Sequence, residues 1–212
     1  MSKLNTVHFK IVLNTNVGTI NEKKADIIAD KFKEDFPIKV SQEKQGLGNV
    51  FYLANPLTKE AILVEENKVT YQIDSEARVE PNFVTIKENL KKLYSTLLLD
   101  EDAEVIIHYI GSTAATTENA MEESTTKLSA GQEIKQQMEN LKGIGLRFLI
   151  EHRTGLWEYK VEPLINDPRF YFIEMICNIN KQKSIDEIVH VAEESYIDFN
   201  EKKLGALKLL GI

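Results

Sequence analysis

The hydrophobic period along this chain switches between two and about 3.6 twice over, in nearly the same order each time. That recurrence restricts the available folds more than any motif does. Val7, Phe9, Ile11 and Leu13 alternate with His8, Lys10 and Val12, which predicts a strand. Asn21 then caps a helix whose apolar stripe is Ala25, Ile28, Ala29 and Phe32, ended by Pro37. Short strands follow at 38–43, 50–54, 61–64 and 69–73. Gly46-Leu47-Gly48-Asn49 reads as a turn and Glu65-Glu66-Asn67-Lys68 as a hairpin. Pro81-Asn82 opens a helix with Val84, Ile86, Leu90, Leu93, Leu97 and Leu98 on its apolar face.

The second series starts with the β-branched run 105–110. A Ser/Thr-rich loop over 111–119 follows, then a weakly helical stretch. Ser129 and Gln132 have capping-box spacing before Ile134, Met138 and Leu141. Strands are expected at 146–152, 157–161 and 170–179, with turns at Arg153-Thr154-Gly155 and Asn166-Asp167-Pro168. A last helix follows a second capping box, Ser184 and Glu187, and runs through Ile188, Ala192 and Phe199 toward Leu207 and Leu210.

The order is therefore β-α-β-β-β-β-α and then β-α-β-β-β-α, a repeat of pattern without a repeat of residues. It implies an α+β fold of two halves, 1–103 and 104–212, forming one compact unit. Two curved antiparallel sheets or one continuous sheet would carry the helices on one face. The strand 170–179 is apolar on both sides, with Phe170, Phe172 and Ile176 against Tyr171, Ile173, Met175 and Cys177. Such a strand needs cover on both faces, from the chain itself, a ligand pocket or a partner.

Charge narrows the function classes. The net charge is −7. Residues 1–100 carry 14 Lys/Arg and 14 Asp/Glu, and residues 101–212 carry 12 and 19. Nucleic-acid binding needs surplus cations to release phosphate counterions, so it is disfavoured. The acidic second half leaves room for a basic partner or for mimicry of nucleic acid. The single cysteine, Cys177, lies in an apolar run and fits a reducing, cytoplasmic setting. No apolar stretch reaches the ~18–20 residues that cross a bilayer, so no membrane association is expected.

Catalytic and metal signatures are missing. His8, His108, His152 and His190 show no ligand spacing with one another, and no metal or cofactor is expected. His190, Glu193 and Glu194 share a helix face, but a metal would need further ligands from elsewhere, and a solvated helix face is the better reading. Gly111-Ser112-Thr113 lacks the lysine of a phosphate loop. Glu151, Glu158, Glu162 and Glu174 lie on neighbouring strands, where two could converge as an acid/base pair. Strand alternation also places them there. Arg147, His152, Arg153, Trp157 and Tyr159 form the best candidate binding cluster, gathered by the 153–155 turn; Trp and Arg dominate binding hot spots. The competing reading makes Trp157 core and pairs the arginines with Glu151 or Glu158.

Gly143-Ile144-Gly145-Leu146-Arg147-Phe148-Leu149, with Phe36-Pro37 after the first helix, resembles a group of prokaryotic proteins whose second half opens a strand on a Gly-Leu-Arg-Tyr-like element. Phe148 stands at the aromatic position, while Leu149-Ile150 departs from the pattern. The strand order also resembles TATA-binding-protein-like and gyrase-inhibitor-like duplicated folds, which implies DNA or small-molecule binding by analogy of fold alone.

The expected function is a non-enzymatic binding protein. It would engage a protein partner or a small ligand through the sheet face and hairpin of its C-terminal half, with the 111–119 loop as a lid. The alternatives are a hydrolase using Glu151, Glu158, Glu174 and His152, and an acidic nucleic-acid mimic or accessory protein of a defence or anti-defence system. A homodimer through Leu207-Lys208-Leu209-Leu210 is a further expectation.

Overall fold

Nine strands form one antiparallel sheet, and the helices that pack on it lie against the same face. The computed structural model describes residues 5–44, 48–76, 78–99, 103–127, 131–179 and 184–201. In chain order the elements are β1 (Asn5–Asn14), α1 (Glu22–Phe32), β2 (Ile38–Lys44), β3 (Gly48–Asn55), β4 (Glu60–Glu65), β5 (Lys68–Asp74) and α2 (Phe83–Leu97). They continue with β6 (Glu104–Ala114), α3 (Ala120–Lys127), α4 (Gly131–Gln137), β7 (Leu146–His152), β8 (Gly155–Pro163), β9 (Phe170–Ile179) and α5 (Ile185–Glu201). The spatial order is β2-β3-β4-β5-β1-β6-β9-β8-β7. β1 and β6 pair at the centre, so the sheet runs without a break across the 103/104 boundary.

The helix starts follow from local chemistry. The Asn21 side chain accepts from the Lys24 amide at 2.9 Å, and Asn82 accepts from Val84 and Thr85. At α5 the capping box closes both ways: the Ser184 amide donates to the Glu187 carboxylate at 3.0 Å, and the Glu187 amide to the Ser184 hydroxyl at 3.3 Å.

The core lies between the sheet and the helix layer. Phe9, Tyr109 and Tyr159 rise from three strands to meet it. Tyr109 stacks on Phe199 of α5 at 5.4 Å between centroids, and Phe9 meets Phe83 of α2 edge-on at 6.1 Å. Their hydroxyls are satisfied by helix carbonyls. Tyr109 donates to Ala192 at 2.6 Å, Tyr159 to Phe199 at 3.0 Å and Tyr171 to Ala120 at 3.1 Å.

Several local expectations need correction. On α2, Ile86, Leu90, Leu93 and Leu97 are buried, but Val84 and Leu98 are exposed. Val84 is two residues from Ile86, which turns it to the opposite side of the helix, and Leu98 is the left-handed cap residue at φ 53°. Gly111-Ser112-Thr113 is not a loop: β6 extends through Ala114, paired by β9 on one side while β1 pairs as far as Ser112 on the other. The stretch expected to form one helix is two, α3 and α4, and α4 stops before Met138, which is exposed. Ser129, the Gly46-Leu47 turn and the Leu207–Leu210 segment lie outside the described residues.

Gly145 enters β7 where a Cβ would lie 2.9 Å from the Cβ of Glu162. Close approach to β8 therefore accounts for a glycine there.

Candidate functional site

Residue parity along the strands of the second half assigns every candidate to one of two faces. Directly paired residues share a face. The odd positions of β8 and β9 (Trp157, Tyr159, Val161, Ile173, Met175, Cys177) all point into the helix layer and are buried. The even positions point to the other face, which no helix covers among the described residues.

Three rows cross that open face. Asp74, His8, Ile110, Glu174, Lys160 and Arg147 lie side by side on β5, β1, β6, β9, β8 and β7. The next row is Gln72, Lys10, His108, Ile176, Glu158 and Leu149. The third is Thr70, Val12, Ile106, Asn178, Leu156 and Glu151. Ile106, Ile110, Phe172 and Ile176 are half-buried there, and Leu149 and Leu156 are exposed.

A chain of ion pairs runs between these apolar groups. Arg147 donates to Glu158 at 2.7 Å, Lys160 lies 3.6 Å from Glu158 and donates to Glu174 at 2.6 Å, and Glu174 lies 2.8 Å from His108 Nε2. His8 hydrogen-bonds Asp74 and meets His108 edge-on, 5.5 Å between ring centroids. Burial, joined by the positive charge of Lys10, pushes His108 below its ordinary pKa, against the pull of Glu174. Burial alone would raise Glu174, but its bonds from Lys160 and His108 outweigh it and hold the carboxyl below the usual range.

The 153–155 turn does not bring the five candidate binding residues together. Arg147 stands on the open face. Trp157 and Tyr159 are buried in the helix layer, and the His152 ring stacks on Trp157 at 3.9 Å on that same side. Arg153 sits at the turn and pairs with Glu194 of α5 at 2.7 Å. Arg147 and Trp157 are thus on opposite sides of the sheet, because the two-residue turn sets His152 against Gly155 and Arg147 against Lys160. Of the carboxylates, Glu158 and Glu174 converge on Lys160. Glu151 is exposed with no ion pair among the described residues, and Glu162 is exposed too.

The loop at 115–119 is anchored to α3 by one carboxylate. The Glu123 carboxylate, only 1% exposed, accepts from the Thr117 amide and from the Thr116 and Thr117 hydroxyls at 2.8–2.9 Å. Burial acts to raise its pKa, but these bonds prevail and lower it.

Sequence reasoning weighed His8 and His108 only as metal ligands and passed over Lys10 and Asp74. Lys10 and His108 alternate with core neighbours, as His108 does between Ile107 and Tyr109, while His8 and Asp74 have a core residue on one side only; their meeting depends on strand order. Among the described residues no group of three or more His, Cys, Asp or Glu could hold a metal, and no helix is long and apolar enough to cross a membrane. No protein-family model and no curated protein matches the chain.

Proposed function

We propose that this chain is a non-enzymatic binding protein whose open sheet face, over β6, β9 and the β7–β8 hairpin, receives a protein partner. The observation that carries this reading is the apolar group Ile106, Ile110, Phe172 and Ile176, with Leu149 and Leu156, on a face that no helix covers among the described residues. Exposed and half-buried apolar side chains interleaved with polar groups are a feature of protein association sites.

The charges on this face favour a protein of mixed charge. Lys160 and Arg147 each already sit on a carboxylate, so a polyanion finds no free row of cations. Nor is there the unbroken row of carboxylates that mimicry of nucleic acid requires. The carboxylate-hydrolase reading meets a further obstacle. A general acid needs a raised pKa, whereas Glu174 is held low by Lys160 and His108. Cys177, a free thiol buried mid-strand, fits a reducing, cytoplasmic setting.

The test is affinity capture from the native cell lysate with three proteins: wild type, Ile106→Ser/Ile176→Ser, and Ile27→Ser on α1 as a control. A protein retained by wild type and control and lost from the double variant supports the reading. A discrete small-molecule mass in the native spectrum replaces the protein partner with a ligand. Equal capture by all three contradicts the assignment of the face.

A further inference from the structure

The two edges of the sheet are built differently. β2 begins after Pro37 and, although Ile38 and Val40 are exposed, it also carries Lys39, which lies 4.0 Å from Asp26, followed by Ser41 and Gln42. Proline, lysine and polar residues are the usual protection of an edge against pairing with another chain. β7, at the other edge, reads Leu-Arg-Phe-Leu-Ile-Glu-His, with no proline or lysine. Leu149 is 61% exposed and Ile150 44%.

The outward backbone groups of β7 follow from its turn. Arg153-Thr154 joins β7 to β8, so His152 and Gly155 form the backbone-bonded pair that closes a two-residue hairpin. Bonded pairs recur at every second residue. Leu146, Phe148 and Ile150 therefore direct their N–H and C=O groups to β8, and Arg147, Leu149 and Glu151 direct theirs to the free edge.

We infer that β7 pairs antiparallel with β7 of a second copy of this chain, in the register that sets Leu149 opposite Leu149 of the partner subunit. In that register Arg147 faces Glu151 of the partner subunit, and Glu151 faces Arg147 of the partner subunit, both on the open face. Phe148 meets Ile150 of the partner subunit on the helix side. The strand is self-complementary about Leu149, as a two-fold interface requires. The neighbouring registers that keep the backbone bonds are not. A shift toward Ile150 sets Arg147 against Arg153 and Leu149 against Glu151, and a shift toward Phe148 sets Arg147 against Leu149. Glu151, unpaired among the described residues, gains its cation only by this pairing, while Arg147 keeps Glu158 and offers its remaining donors across the edge. The nine-stranded sheets then join into one, and both open faces stay free for the partner proposed above.

Sedimentation equilibrium on the full chain tests this. Wild type is expected at twice 24.2 kDa. Arg147→Glu and Glu151→Arg, each placing like charges opposite one another, are expected to sediment as monomers at the same concentration. An equimolar mixture of the two variants is expected to recover the dimer mass, because every facing pair is again of opposite charge. Leu149→Lys, at an exposed position, gives a second monomeric variant should either charge reversal fail to fold. A monomeric wild type overturns the inference. So does a dimer that persists in all the single variants, or a mixture that stays monomeric.

Discussion

Strands β8 and β9 present two surfaces that differ by one residue of phase. Trp157, Tyr159, Val161 and Cys177 meet helices, and the Tyr159 hydroxyl ends on a carbonyl of α5. Glu158, Lys160, Glu174 and Ile176 meet no helix among the described residues; Lys160 bonds Glu174 and lies 3.6 Å from Glu158, one of whose carboxylate oxygens is buried without a hydrogen-bond partner. The covered face has its partner within the chain. The open face has half-buried apolar side chains and a chain of ion pairs, and no helix among the described residues lies over them. This contrast predicts that stability is concentrated on the first face, and the proposed function places association on the second.

Truncations on the covered side should have the largest effects. Trp157→Ala removes a 2% exposed side chain that His152 stacks upon, and should lower unfolding free energy by about 3–5 kcal/mol in a denaturant titration. Comparable loss from Ile176→Ser on the open face would break the contrast; that substitution should cost less than half as much. Adjacent residues of β6 sharpen the comparison. Tyr109→Phe deletes a hydroxyl bonded to Ala192 and Ser195 inside the helix layer, and should cost about 1 kcal/mol.

Its neighbour His108, on the other face, should act through pH. Folding lowers its pKa from about 6.5, so the unfolded chain binds the proton more readily. That penalty is absent above pH 6.5 and grows as pH falls through the folded value, where stability declines. Urea midpoints measured between pH 7.5 and 5.5 should fall, and His108→Gln should flatten the slope. An unchanged slope in the variant would place the titration elsewhere. This effect should be the smallest of the four.

Much of the fold was legible because the period of two and the period of 3.6 are local signals. The first-half order, the capping box of α5 and the buried stripe of α1 all follow from spacing alone. The second half departs at 111–114, where Ser and Thr read as loop. Pairing with β1 and β9 holds that segment in β6, a tertiary effect that propensity does not contain. The site was half legible. Alternation separates Glu158 from Trp157 without a structure, and turn length alone would have put Arg147 beside Lys160. The meeting of His8 with His108 was not legible, since 100 residues separate them and only the β1–β6 pairing joins them.

Side-chain radical footprinting in native cell lysate, against the purified protein, tests the central claim most directly. The account predicts that Phe172, Ile176, Ile106 and Leu156 are labelled less in lysate, while Ile27 and Val84 on the helix layer are labelled equally in both. Protection confined to the helix layer, or equal labelling of the open face in the two samples, would contradict it.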